Sequence, residues 1–197
     1  LLVGDYLFVS KYSYGYSKYS LPFSPDVMDG RVWSGEPKRG QIAVFRLPGN
    51  TQIDYIKRVI GLPGDKVQMK EGKLFLNGEA VKTEAAGMYQ HPDGGPKVPL
   101  FTETLPNGVS YQTIDTNRRS QGDNTGVFEV PAGHYFMMGD NRDNSIDSRF
   151  PQSIGGVGFV PAENLLGRAD RVIFSSAGQR MIYFWTWRSD RFFRAID

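Results

Sequence analysis

Two stretches of this chain place residue types where they could move a proton. The first is Asp54-Tyr55-Ile56-Lys57-Arg58-Val59-Ile60, followed by the turn-forming Gly61-Leu62-Pro63-Gly64-Asp65. Read as a strand, its side chains alternate, so Ile53, Tyr55, Lys57 and Val59 share one face while Asp54, Ile56, Arg58 and Ile60 share the other. Lys57 then sits among apolar neighbours. Burial disfavours an ammonium and lowers its pKa from the usual value of about 10.4, leaving a neutral amine able to take a proton near neutral pH. Arg58 faces the other way and stays protonated, so it reads as an ion-pairing residue. A strand-end lysine reaching into water is the alternative reading of Lys57, and alternation by itself leaves both open.

The second stretch is Gly139-Asp140-Asn141-Arg142-Asp143-Asn144-Ser145-Ile146-Asp147-Ser148-Arg149, directly after the apolar Tyr135-Phe136-Met137-Met138. Such polar density after a strand describes a loop whose side chains satisfy one another. Ser145 can orient an amine, while Asp147 and Arg149 can pair and brace the loop; a purely structural polar turn fits the same residues. A calcium loop does not fit, because Arg142 stands at the third position after Asp140 and Ser145 where the sharp-turn glycine belongs. His91 and His134 form no H-E-x-x-H motif, and no G-x-S-x-G elbow, P-loop or G-x-G-x-x-G fingerprint occurs. No metal site and no cofactor are expected.

The elements that must carry these groups are mostly strands. The 197 residues include 23 Gly and 12 Pro, which favours turns and β-structure over long helices. Val3 to Lys11, Gln41 to Leu47, Ile53 to Ile60, Lys66 to Phe75, Val127 to Met138 and Arg168 to Phe174 are rich in β-branched and aromatic residues and bounded by turn formers. Glu71-Gly72-Lys73 and Asn77-Gly78 read as consecutive hairpin turns, which makes the flanking strands antiparallel. Pro161 to Leu166 has room for one helical turn, and Leu7 to Tyr19 is too rich in Tyr and Ser for a helix. From about Thr83 to Val130 the chain turns Gly-, Pro- and Thr-rich, with loops at His91-Pro92-Asp93-Gly94-Gly95-Pro96 and Pro106-Asn107-Gly108, and reads as part of an insertion. The expected architecture is mainly β, an antiparallel core of residues 1–65 and 132–197 with a smaller β-rich insertion at 66–131.

A net charge of +2 with no long basic run gives no support for nucleic-acid binding. With no cysteine, disulfides, thiolate metal sites and cysteine nucleophiles drop out. No window reaches the roughly 18 to 20 apolar residues that cross a bilayer. The opening at Leu1, inside an apolar-alternating pattern, reads as a cut with an anchor expected upstream. In the tail, Ile182, Tyr183, Phe184, Trp185 and Trp187 lie beside Arg188, Arg191 and Arg194. Aromatics beside cations suit a bilayer interface, and equally a strand or short helix covering the core.

Taken together, these blocks resemble the bacterial type I signal peptidase family, whose members carry a serine–lysine dyad. Leu2 to Lys11 looks like the stretch just after the family nucleophile, Arg39 to Phe45 like its next strand, Asp54 to Asp65 like the block with the lysine base, and Gly139 to Arg149 like the G-D-N-R-D-N-S-x-D-S-R signature. The resemblance implies Lys57 as general base, Ser145 as the group orienting its amine, and Arg58, Asp147 and Arg149 as bracing residues. It implies that Asp54, Tyr55 and Ile56 offer a backbone edge to an extended substrate, with Tyr55, Ile56 and Leu1 near the side-chain pockets. The substrates it implies are signal peptides of exported preproteins, cut after Ala-x-Ala-type sites on the outer, periplasmic side of the bacterial inner membrane. The family serine lies in a Ser-Met-x-Pro-Thr-Leu stretch a few residues upstream of Leu1. Neither Ser10 nor Ser13 has that context, so the chain as it stands is expected not to cleave. Two rivals remain at this level: a self-cleaving repressor-type serine–lysine protease, and a non-catalytic β-rich module that binds peptides or a membrane surface.

Overall fold

Residues 1–20, 31–32, 35–117, 119–177 and 183–196 are described by a computed structural model. Its first eight strands are β1 (Asp5–Ser10), β2 (Tyr16–Ser17), β3 (Arg31–Val32), β4 (Ile42–Leu47), β5 (Asn50–Gly61), β6 (Lys66–Lys70), β7 (Lys73–Leu76) and β8 (Glu79–Ala80). Then follow β9 (Lys82–Tyr89), β10 (Val98–Thr104), β11 (Ser110–Ile114), β12 (Phe128–Glu129), β13 (His134–Met138), β14 (Val160–Pro161), β15 (Leu165–Ser175) and β16 (Arg194–Ala195). Helical residues among those described occur only as 3-10 turns, one of them at Ala162–Asn164 where a single turn was expected.

Every named strand pairing is antiparallel, so the expected mainly β architecture is the one adopted. A seven-stranded sheet runs β1-β15-β4-β5-β13-β14, with β16 added to β15. Beside it lie sheets β12-β6-β7-β8, β11-β10-β9 and β2-β3. The β6–β7 and β7–β8 turns form where expected. Glu71 and Gly72 have φ of 49° and 72°, and Asn77 and Gly78 have 53° and 87°, the left-handed pairs that a tight hairpin needs.

Two apolar clusters hold the sheets together. Ile60, Phe136 and Met138 pack with Val67, Met69, Leu74 and Leu76, which joins the large sheet to the β6–β7 hairpin. Val59, Ala43, Phe45, Tyr135 and Met137 pack on the opposite face with Val157 and Leu165. Each large side chain removed from water here contributes about 1.5–3 kcal/mol. Because β5 sends Val59 to one cluster and Ile60 to the other, its end is clamped from both faces.

Two expectations need correction, and one stretch holds strands that the sequence pattern did not single out. The single run Val127 to Met138 is broken into β12 and β13 by Pro131-Ala132-Gly133, since proline has no N–H for the ladder and Gly133 turns with φ of 69°. The insertion from Thr83 onward, in which no strand was singled out, holds the antiparallel strands β9, β10 and β11. Nearly all of β9 is solvent-exposed, so no apolar alternation marks it. Ile53, expected to share the apolar face of Val59, is 43% exposed because the β4–β5 hairpin end extends past the core.

In the tail, Met181 and Ile182 lie outside the described residues. Trp187 and Phe192 pack on Phe174, with ring centroids 4.8 and 5.1 Å away, while Phe184, Trp185 and Phe193 point outward.

Candidate active site

Register brings the two chemistry-bearing stretches together. On one side of β5, Ala43 of β4 sits opposite Lys57 and Phe45 opposite Tyr55. On the other side, β13 pairs Met138 with Arg58 and Met137 with Val59. The chain leaves β13 at Met138, so the polar loop that begins at Gly139 rises beside Lys57.

Lys57 Nζ donates a 2.7 Å hydrogen bond to Ser145 Oγ. The amine stands over the Tyr55 ring, 5.6 Å from its centroid, and Tyr55 in turn packs on Phe45. Burial pushes the Lys57 pKa below the ordinary lysine value; Asp147 and Asp140 pull the other way, and Arg149 adds to the lowering. Gly139 makes the close approach possible, since a Cβ there would lie 2.0 Å from Ser145 Oγ.

The loop is held by charge. Arg149 Nε and Nη2 donate to the two carboxylate oxygens of Asp147, each at 2.9 Å, and neither side chain is exposed. The same Asp147 carboxylate accepts from Gly139 N at 2.9 Å, and Arg149 Nη2 also donates to Arg142 O at 2.6 Å. Arg58 grips Asp140 through Nε and Nη2, each at 2.9 Å, and donates from Nη1 to Gly40 O at 2.6 Å.

A pocket of about 160 Å³ opens over the amine, lined by Leu1, Ile42, Ile56, Lys57, Met138 and Ser145 among others. Of the residues singled out in the sequence, Leu1, Ile56, Lys57, Arg58 and Ser145 meet there. Asp147 and Arg149 lie behind the loop. Tyr55 does not line the pocket; it supports Lys57 from beneath. Asp54 sits farther along β5, where its carboxylate pairs with Arg46 at 3.2 Å. Because β13 covers β5 only from Arg58 to Gly61, the Asn50–Lys57 edge has no strand partner among the described residues.

Three residues that sequence reasoning passed over belong to this region. Glu103, Tyr111 and Arg142 form a buried hydrogen-bonded group under the loop. Arg142 carried a signal in its place within the polar run, but Glu103 and Tyr111 lay in a part of the insertion where no strand was singled out. Among the described residues, one set of carboxylates that could meet a cation, Asp115, Asp123 and Asp143, brings its oxygens within 4.8 Å of one another. Its members come from three separate places in the chain, so no spacing announces it. His134 Nδ1 lies 2.9 Å from Ala132 O and His91 Nδ1 accepts from Asp93 N, which are structural roles.

Residues 1–174 match the family described as signal peptidase, peptidase S26. Signal peptidase I of Rickettsia typhi is 46% identical over 187 residues, an alignment covering 89% of this chain and 67% of that protein. Signal peptidase I of Rickettsia prowazekii is 44% identical over the same shares of both chains. A crystal structure of a signal peptidase I from Enterococcus faecalis V583 is 25% identical and covers 68% of this chain and 96% of that one, with a TM-score of 0.38, too loose a likeness to bear on the fold. A lysine amine on a serine hydroxyl, at the position where the sequence blocks resemble this family, agrees with that match, and the chain belongs to the signal peptidase family, peptidase S26, a family of serine proteases that remove signal peptides.

Proposed function

We propose that this chain forms the catalytic portion of an endopeptidase that cuts leader peptides from exported proteins after small residues of the Ala-x-Ala kind, with Lys57 as general base. The observation that carries this reading is the half-buried Lys57 amine, its pKa lowered by burial and one N–H engaged by Ser145 Oγ. With that N–H held, the lone pair is directed elsewhere, toward a proton to be removed. Arg58, Asp147 and Arg149 keep strand and loop in register around it.

The nucleophile is a serine preceding Leu1, in the stretch that the family carries just ahead of residues matching Leu2 to Lys11. Leu1 lines the same pocket as Lys57, so the chain enters the site beside the amine. The serine oxygen attacks the scissile carbonyl carbon while its proton passes to Lys57. The C–N bond then breaks, Lys57 returns that proton to the leaving amine, and an ester remains on the serine. Water next attacks the ester with Lys57 taking its proton, the C–O bond to serine breaks, and Lys57 hands that proton to the serine oxygen, which regenerates both groups. This route draws only on side chains and water.

An extended leader peptide adds as a strand along the uncovered Asn50–Lys57 edge, with Asp54, Tyr55 and Ile56 supplying backbone groups. Its small side chains enter the pocket formed by Ile42, Ile56, Leu1 and Met138. Residues 66–131 are an inserted unit between core segments 1–65 and 132–197. The enzyme works at the outer face of the bacterial inner membrane, where Phe184, Trp185 and Phe193 meet the interface; no helix among the described residues is long and apolar enough to cross it. Cleavage of an Ala-x-Ala leader peptide by the protein extended upstream through the serine, compared with its Lys57→Ala form, is the test. Loss of cleavage on Lys57→Ala supports the dyad, and cleavage that survives it removes Lys57 as base.

A further inference from the structure

We infer that Glu103 and Tyr111, cross-strand partners on the β10–β11 hairpin of the inserted unit, are positioning residues that set the Lys57 amine against Ser145. The inference rests on Lys57 acting as the base.

One carboxylate oxygen fastens both segments that carry the amine and its partner. Glu103 Oε2 accepts from Arg142 Nη2 at 2.5 Å and from the Tyr111 hydroxyl at 2.8 Å. Arg142 is three residues before Ser145, in the same loop. Tyr111 reaches the other segment, because the Arg58 guanidinium stacks on its ring with the central carbon 4.2 Å from the centroid. Arg58 is the immediate neighbour of Lys57 on β5. Thus a single oxygen of the inserted unit ties down the chain one residue from the amine and three residues from the hydroxyl that holds it.

Backbone contacts run in the same direction. Ile114 N donates to Asp140 O and Arg142 N to Ile114 O, both at 2.8 Å, so the end of β11 bridges the polar loop in parallel. Beyond Arg142 the path closes on itself, since Arg149 bonds its carbonyl and holds Asp147, which accepts from Gly139 N. Ser145 lies inside this closed ring.

Burial says why such a group persists. Glu103, Tyr111 and Arg142 are only 3, 4 and 3% exposed. A buried ion pair roughly breaks even against apolar packing of the same volume, so its contribution is to specify one arrangement among several. Arg142 and Tyr111 both keep their protons. Burial works against the Arg142 charge, but Glu103 beside it more than offsets that and raises its pKa; burial and the Glu103 charge both push the Tyr111 hydroxyl upward. Tyr111 therefore remains a donor to Glu103.

The test compares wild type, Glu103→Gln, Tyr111→Phe and Lys57→Ala in the protein extended upstream through its serine, reading kcat, KM and the pH profile of leader-peptide cleavage. Tyr111→Phe keeps the ring under Arg58 and carries the decision should Glu103→Gln fail to fold. The expected result is a fall in kcat of roughly ten- to a hundredfold at little-changed KM, because the substrate edge is untouched while the amine is misplaced. The acid limb of the profile should also move toward higher pH as water reaches the loosened amine. A merely structural role lowers the folded fraction and leaves that midpoint in place. Folded variants with wild-type kcat and an unmoved midpoint would overturn the inference while Lys57→Ala stays inactive, whereas activity in Lys57→Ala would instead overturn the base assignment beneath it.

Discussion

Asp147 and Arg149, two residues apart, form a bidentate ion pair in which neither side chain touches solvent. A pair so close in sequence does not tie distant parts of the chain together by itself. Its reach comes from the other bonds of the same groups: Asp147 accepts from Gly139 N and Arg149 donates to Arg142 O, which folds the polar loop onto its own start. Ser145 is held in the middle of that fold.

Asp147→Asn keeps the shape but leaves the Arg149 charge buried without its counter-ion. Breaking a buried pair on one side costs about 3–5 kcal/mol. Chemical denaturation should show that loss in the midpoint, while replacing both residues by apolar side chains of similar volume should recover much of it. A single variant as stable as wild type would mean that the pair is not desolvated in solution.

The pH dependence of cleavage follows from the Lys57 amine. It must be neutral to take a proton, and burial holds its pKa below the ordinary lysine value against the opposing pull of Asp147 and Asp140. The rate should therefore rise with pH through a midpoint lower than that of an exposed lysine, about 10.4. A steady-state profile of kcat/KM measures it; a limb centred at the ordinary value would place the amine in water.

Gly139→Ala should reproduce the loss of Ser145 without touching it. An added Cβ falls 2.0 Å from Ser145 Oγ and 2.4 Å from its Cβ, so the hydroxyl must leave Lys57. A misplacement of that size costs about a hundredfold in rate. Ser145→Gly removes both atoms that the added Cβ meets, so Gly139→Ala combined with Ser145→Gly should be no slower than Ser145→Gly alone, and additive losses would show that the two act separately.

Ile56 lines the pocket over the amine together with Ile42, Leu1 and Met138. Removing three carbons with Ile56→Ala should enlarge it, so that leader peptides with a residue larger than alanine before the cut are accepted better relative to the Ala-x-Ala peptide. Ratios of kcat/KM for paired peptides read this, and an unchanged ratio would assign the pocket to something other than the substrate side chain.

The outward aromatics of the tail carry a separate expectation. Phe184 and Trp185 are each 68% exposed, and Trp185 stacks against both Phe184 and Tyr183 instead of against the core. Serine at both positions should weaken co-sedimentation with lipid vesicles and leave the unfolding free energy unchanged to within about 0.5 kcal/mol, the usual range for surface changes. Undiminished vesicle binding would rule the pair out as a membrane contact.

Local pattern determined a good part of this protein. Period-two alternation placed Tyr55, Lys57 and Val59 on one face and Arg58 and Ile60 on the other, because successive strand side chains must point to opposite sides. Turn chemistry marked the β6–β7–β8 hairpins, where left-handed backbone falls on Glu71-Gly72 and Asn77-Gly78. The polar run after Met138 announced a self-satisfying loop. Tertiary structure alone decided which strand lies beside β5: a choice among partners far apart in sequence is settled by total burial, and no local spacing encodes it. That choice, the Met138–Arg58 register, put Ser145 on an amine 88 residues away. It also brought Glu103 and Tyr111 under the loop from a hairpin that no apolar alternation disclosed.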